Sequence, residues 1–169
     1  MAYRYTAYRS PLGMIYLLAS KRGLLAVSIG EKWEIFRRRY AQLAPGDWDK
    51  VEPEEDQHLS QAVPALERYF KKGVPLPKNI LLDPQGTPFQ RKVWWELRRI
   101  PHGQTVSYSE VAQRIGLPKA PRAIGRACGS NPLPLFIPCH RVIAGDGSLC
   151  GFGGGLDLKK RLLALEGHS

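Results

Sequence analysis

Cysteine is scarce in this chain of 169 residues: there are three, and none comes before Cys128. Cys128, Cys139 and Cys150 form no Cys-x-x-Cys pair, and an odd number argues against a disulfide framework. Reduced thiols in an intracellular compartment are the expectation. Acidic residues are also few, 15 Asp and Glu against 25 Lys and Arg, which leaves a net charge of +10. No apolar run approaches the length of a membrane span, and no N-terminal stretch reads as a signal peptide. Neither a membrane partner nor secretion is expected.

What the chain does hold is unevenly placed. Up to Pro84 there are 13 basic and 10 acidic residues, a net of +3; the remainder has 12 and 5, a net of +7. A basic excess concentrated in one half is what a nucleic-acid footprint requires, although basic proteins without such partners are common. The length suits one large domain or two small ones.

Apolar runs at 3–8, 14–20 and 24–29, separated by Ser10-Pro11-Leu12-Gly13 and Lys21-Arg22-Gly23, predict an antiparallel meander. Trp33, Phe36, Tyr40 and Leu43 share one face of a helix predicted over 31–43. Arg37-Arg38-Arg39 in that helix reads first as a solvated face and only second as a DNA contact. Residues 44–56 read as a surface loop. A helix over 58–70 is expected to start or kink at Pro64. The proline-rich stretch 71–85, with one short strand at 80–82, reads as the connection between two domains, 1–84 and 85–169.

Thr87-Pro88 signals a helix start, an N-cap followed by proline at the first helical position. Phe89, Val93, Trp94, Leu97 and Ile100 form its apolar stripe. Ser107 with Glu110 is a capping box opening a helix to Ile115, Gly116 turns, and Pro121 opens a second helix to about Cys128. Helix, glycine turn, helix is the helix-turn-helix pattern. The second helix is nearly bare: Ala120, Ala123, Gly125, Ala127 and Gly129, with Arg122 and Arg126 as exceptions. Small residues let a backbone approach a narrow minor groove with little base discrimination. They also serve close packing within a protein, but Arg122 would make a poor core residue.

The chain is organised around Asn131-Pro-Leu-Pro-Leu-Phe-Ile-Pro-Cys139-His140-Arg141-Val142. A thiol is a nucleophile only as thiolate, and His140 and Arg141 supply basic or cationic neighbours that favour it. On residue type alone, a buried space-filling cysteine is an equal reading. Adjacent strand residues point to opposite faces, so Cys139 and His140 cooperate only if the backbone bends or a water links them. Beyond it, Gly151 to Gly155 fits a loop closing over a flat ligand, and 156–166 reads as an amphipathic helix with Leu158, Leu162 and Leu165 inward.

These strings together resemble the O6-alkylguanine-DNA alkyltransferases. Pro138-Cys139-His140-Arg141-Val142 after Asn131-Pro132 is similar to that family's active-site signature. Val106-Ser107-Tyr108 and Arg122-Ala123-Ile124-Gly125 look like its DNA-binding segment, and Gly153-Gly154-Gly155-Leu156 with Leu162 to Gly167 like its closing loop and helix. Ser10-Pro11-Leu12-Gly13 with Gly23-Leu24-Leu25 is similar to its N-terminal hairpin.

The resemblance implies irreversible, stoichiometric transfer of an alkyl group from O6-alkylguanine in double-stranded DNA to Cys139, with base flipping and no cofactor. O4-alkylthymine is a further possible substrate. It implies that His140 acts as base through water, that Glu166 holds His140 and that Asn131 secures the turn. Arg122 would enter the duplex and Tyr108 would help turn the nucleotide out, with Ala123 and Gly125 on the DNA-facing helix. Pro134, Val142, Phe152 and Gly153 would line the pocket. Some members of that family carry an N-terminal zinc site with cysteine ligands; no cysteine precedes Cys128, so no metal is expected. The expected fold is α/β (α+β): a small N-terminal domain with an antiparallel sheet, then a mostly helical domain with the helix-turn-helix. A monomer, cytoplasmic or nuclear if eukaryotic, is expected. Two other readings stand beside this one. A non-catalytic lesion-recognising or regulatory protein would not need Cys139, and a cysteine hydrolase has only the Cys-His pair in its favour.

Overall fold

The computed structural model describes residues 3–147 and 155–168. It divides into two compact units, Met1–Gln85 and Gly86–Ser169. In the first, strands β1 (Tyr3–Ser10), β2 (Gly13–Ala19) and β3 (Leu24–Ile29) form the meander. Tyr5 pairs with Leu18 and Ala7 with Tyr16, and alternation along the strands gives the sheet two distinct apolar faces. Helix α1 (Trp33–Arg39) lies on one face, where Phe36, Tyr40 and Leu18 are buried among Tyr5, Tyr16, Trp33 and Trp48. Helix α2 (Leu59–Lys72) serves the other, with Phe70 against Tyr8.

Four local expectations change here. Residues 44–56 are not only loop: β4 (Trp48–Lys50) pairs parallel to β1, because Trp48 packs into the aromatic cluster and donates its indole N–H to the Ala44 carbonyl at 2.8 Å. Leu43 lies past the end of α1 and is exposed. Pro64 sits inside α2 rather than opening it; buried Leu59, Ala62, Val63, Ala65 and Leu66 on either side hold the helix through the missing donor. Asp56 supplies the helix start, its Oδ1 accepting from the backbone N–H of His58 and of Leu59. Residues 80–82 make a single bridge from Leu82 to Leu24 rather than a strand.

In the second unit α3 (Pro88–Leu97) begins with a capping box between Thr87 and Gln90. A second box, Ser107 with Glu110, opens α4 (Tyr108–Arg114), and α5 (Pro121–Gly129) follows a turn in which Gly116 has φ +80°. α3 packs against both helices of this pair. Trp94 is its anchor, buried and donating its indole N–H to the Ala127 carbonyl at 2.8 Å. The short strands β5 (Val106–Ser107) and β6 (Val142–Ile143) pair in parallel, and α6 (Leu156–Leu165) closes the unit. Leu158 and Leu165 are only half-buried; the inward stripe of α6 is Lys159, Leu162 and Leu163, continued by Glu166. The architecture is α+β.

Candidate active site

Asn131 builds the turn that leads to the cysteine. Its side-chain amide donates to the Ile137 carbonyl at 2.9 Å and its Oδ1 accepts from the Leu133 N–H at 2.9 Å. Between them the chain bends through Leu135 at φ +76°, which no other non-glycine residue among those described adopts in the positive range. Such a conformation costs on the order of 1–3 kcal/mol and persists when its surroundings enforce it. Here the Asn131 bonds and the burial of Leu133, Leu135, Phe136 and Ile137 do so.

Cys139, His140 and Arg141 then form one 3-10 turn, closed by the Arg141 N–H on the Pro138 carbonyl at 3.0 Å. The turn releases Cys139 and His140 from the opposite-face rule of a strand. All three side chains are buried. Burial pushes the Cys139 thiol above its ordinary pKa, opposed by a hydrogen bond from Asn131 and by the Lys159 charge. The resting group is a thiol.

His140 Nε2 lies 2.7 Å from Glu166 Oε2, so the network assigns the ring proton to Nε2 and leaves Nδ1 as acceptor. Nδ1 is buried with no hydrogen-bond partner among the described residues. Glu166 is held by more than the histidine. Arg141 approaches it with two nitrogens, Nε on Oε1 at 2.8 Å and Nη2 on Oε2 at 3.0 Å, and gives Nη1 to the Ile100 carbonyl at 2.7 Å. The Gly103 N–H reaches Oε1 at 3.4 Å, and a side chain at Gly103 would crowd the Glu166 carbonyl oxygen at 3.1 Å, at a φ of +83° that already favours glycine. With Arg141 compensating the carboxylate, burial outweighs Glu166's pull and the His140 pKa falls below the ordinary histidine value. His140 is a neutral base, oriented by an ionised carboxylate.

Two groups in this cluster were not anticipated from the sequence. Lys159 is fully buried and donates Nζ to the Val142 carbonyl at 2.6 Å. Its spacing to Leu162, Leu163 and Glu166 was the available signal, a charged residue on the inward stripe of an amphipathic helix. Cys128 is buried near Cys139, and burial drives its pKa to about 12. The sequence shows Arg141 as a cation near the thiol, and only the fold shows its hold on Glu166.

Cys139, His140, Asn131 and Glu166 therefore converge, and Val142 is buried directly after the turn. Pro134 is half-buried in the Asn131 loop. Tyr108, half-buried at the start of α4, lies beside α5, where a side chain at Gly125 would meet its ring at 3.8 Å. The Lys159 ammonium is 5.9 Å from the same ring. Arg122 is exposed on α5 and Ala123 is half-buried. Phe152 and Gly153 lie outside the described residues. No group of three or more His, Cys, Asp or Glu among the described residues could hold a metal, and no helix among them is long and apolar enough to cross a membrane.

Family models for the 6-O-methylguanine DNA methyltransferase ribonuclease-like domain and DNA binding domain match residues 3–83 and 88–168. The chain belongs to the O6-methylguanine DNA methyltransferase family. A methylated-DNA--protein-cysteine methyltransferase of Haemophilus influenzae is 41% identical over 164 residues, 96% of this chain and 85% of that protein. One from Methanosarcina acetivorans is also 41% identical, over 96% and 97%. Among solved structures, Mycobacterium tuberculosis O6-methylguanine methyltransferase superposes with a TM-score of 0.81 at 36% identity, covering 97% of this chain and 92% of that one. M. tuberculosis OGT in complex with DNA gives 0.79 at 37%, covering 96% and 92%. This methyltransferase family thus includes a member of the same fold bound to DNA.

Proposed function

We propose that this protein repairs DNA by taking the alkyl group of O6-alkylguanine onto Cys139 in a single turnover. The observation that carries the reading is the buried turn Cys139–Arg141, in which a thiol adjoins a neutral imidazole held by an ionised carboxylate. The Sγ proton passes through a water to His140 Nδ1, the acceptor left open by the Glu166 bond. The thiolate attacks the alkyl carbon, an S–C bond forms, the C–O6 bond breaks, and its electron pair leaves on guanine, which takes up a proton. The imidazolium formed is stabilised by Glu166. A thioether lies off the reversible oxidation ladder of cysteine, so the protein is consumed. Lys159 adds a positive charge that favours the thiolate.

The target must leave the stack to reach a buried sulfur, and a poorly paired alkylated base costs least to extrude. Arg122, exposed with Arg126 on a helix whose other residues are mostly small, fills the space the base vacates. Ala123 and Gly125 allow that helix to approach the backbone closely, and Tyr108 turns the nucleotide. Pro134 and Val142 bound the pocket. Residues 1–84 form the N-terminal domain, and 85–169 the DNA-binding and alkyl-acceptor domain. The protein acts as a monomer on double-stranded DNA, in the cytoplasm or, in a eukaryote, the nucleus.

Mass spectrometry of the protein mixed with duplex containing O6-methylguanine tests this. One methyl per molecule, on a peptide containing Cys139 and on neither Cys128 nor Cys150, is expected. Repeated turnover, or methyl on another cysteine, contradicts it.

A further inference from the structure

The outer face of α3 carries none of the residues assigned above to the repair chemistry. At about 100° per residue, Arg91, Lys92, Trp95, Arg98 and Arg99 fall within about a third of the helix circumference. Backbone bonds from Arg98 to Trp94, Arg99 to Glu96 and Ile100 to Leu97 continue the chain past Leu97 in a tightened last turn, which leaves the last two arginines on the same side as Trp95. Val93, Trp94, Leu97 and Ile100 occupy the opposite side and are buried. Two adjacent tryptophans thus have opposite fates: Trp94 is 1% exposed and Trp95 41%. The Arg98 guanidinium lies 5.5 Å over the Trp95 ring. Glu96 is the acidic residue nearby, 3.7 Å from Arg99, whereas Arg91 and Lys92 are exposed without an ion pair among the described residues.

An isolated cationic helix face is ordinarily just solvated. An indole that is two-fifths exposed among four cations is a different surface, because it carries flat apolar area that water does not reward. Cations track phosphates, and aromatic rings hold unpaired bases by stacking with little regard to sequence. A duplex keeps its base faces inside the stack and would leave the indole unused. The stripe extends from residue 91 to 99, about 12 Å along the axis, a length suited to a few nucleotides. Because α3 turns its buried side to α4 and α5, the stripe faces away from the helix pair assigned to the lesion-bearing duplex.

We propose that the Arg91–Lys92–Trp95–Arg98–Arg99 face is a second nucleic-acid site, which binds single-stranded DNA by stacking on Trp95 and phosphate contacts to the flanking cations. It is separate from the repair site and can be filled at the same time.

The test uses the full chain and a short fluorescent oligothymidylate, with binding read by anisotropy in the presence of saturating undamaged duplex. The wild type should still bind the oligonucleotide. Trp95→Ala should weaken that binding by about tenfold, from the worth of one stacked base, while Trp95→Phe retains most of it. Arg91→Gln with Lys92→Gln should weaken it and lower its dependence on salt. Trp95→Ala should repair O6-methylguanine duplex at the wild-type rate, which also shows that the variant is folded. Displacement of the oligonucleotide by duplex, or wild-type binding by Trp95→Ala, overturns the proposal. Polyglutamate that competes as strongly as the oligonucleotide, and loses binding with Trp95→Ala, overturns it in favour of an acidic protein partner. No substrate alkyl group is present in the binding assay, so its outcome does not depend on whether Cys139 is the acceptor.

Discussion

At the scale of single residues, burial sets the protonation states, and its consequences have opposite signs for the two central groups. The His140 pKa is lowered in the folded protein, so below the ordinary histidine value of about 6.5 the unfolded chain binds more protons and acid favours unfolding. The Cys139 pKa is raised, so above the ordinary thiol value of about 8.5 the unfolded chain releases more protons and alkali favours unfolding. These two groups should give a stability plateau between those limits. Melting temperature measured against pH should fall on both sides; His140→Gln should flatten the acid limb and Cys139→Ala the alkaline limb, and unchanged limbs would contradict the assignment. Lys159 makes a separate case. Its charge favours the Cys139 thiolate, yet a buried ammonium is expensive to desolvate. Lys159→Met should therefore slow alkyl transfer while leaving the melting temperature equal or higher, measured on the same preparation. A loss of both would mean that the Val142 contact matters for folding rather than for the thiol.

At the scale of elements, α5 and the Asn131 turn meet where the thiol is buried. Cys128, near the end of α5, sits close to Cys139, and the Asn131 N–H bonds the Cys128 carbonyl at 3.3 Å. A methyl added to Sγ must find room among these groups, and overpacking a close-packed site typically costs ~1–3 kcal/mol. The strain falls on the helix that carries Arg122, so alkylation should lower both the melting temperature and the affinity for DNA. Calorimetry before and after stoichiometric reaction measures this; an unchanged transition would remove the coupling between sulfur and helix.

At the scale of the whole molecule, the net charge of +10 supplies affinity and the bare α5 supplies little sequence choice. Binding to undamaged duplex should weaken with added salt and vary little among sequences. Arg122 then divides the work between DNA opening and chemistry. Arg122→Ala should slow repair of duplex severely, by a loss on the order of a few kcal/mol, and react with free alkylated guanine base at close to the wild-type rate. Equal loss on both substrates would mean that Arg122 supports the fold or the pocket instead.

What the sequence determined by itself was whatever short-range chemistry encodes. The Thr87 and Ser107 capping boxes, the glycine turn at 116, the meander of alternating strands and the Pro138 to Val142 string each act within a few residues. Their signals survive without a partner. Tertiary structure decided the rest, because it depends on groups far apart in the chain meeting. Trp48 drew β4 onto the sheet out of a stretch that reads locally as loop, and packing on both sides carried α2 through Pro64. No local feature near Cys139 names Glu166 as the group that orients His140, and family resemblance alone suggested it. The fold brings that carboxylate to 2.7 Å from the imidazole and gives it the Arg141 fork besides. The neutrality of His140 follows only then, since a pKa depends on burial and on the charges already spoken for, and neither exists before the chain is packed.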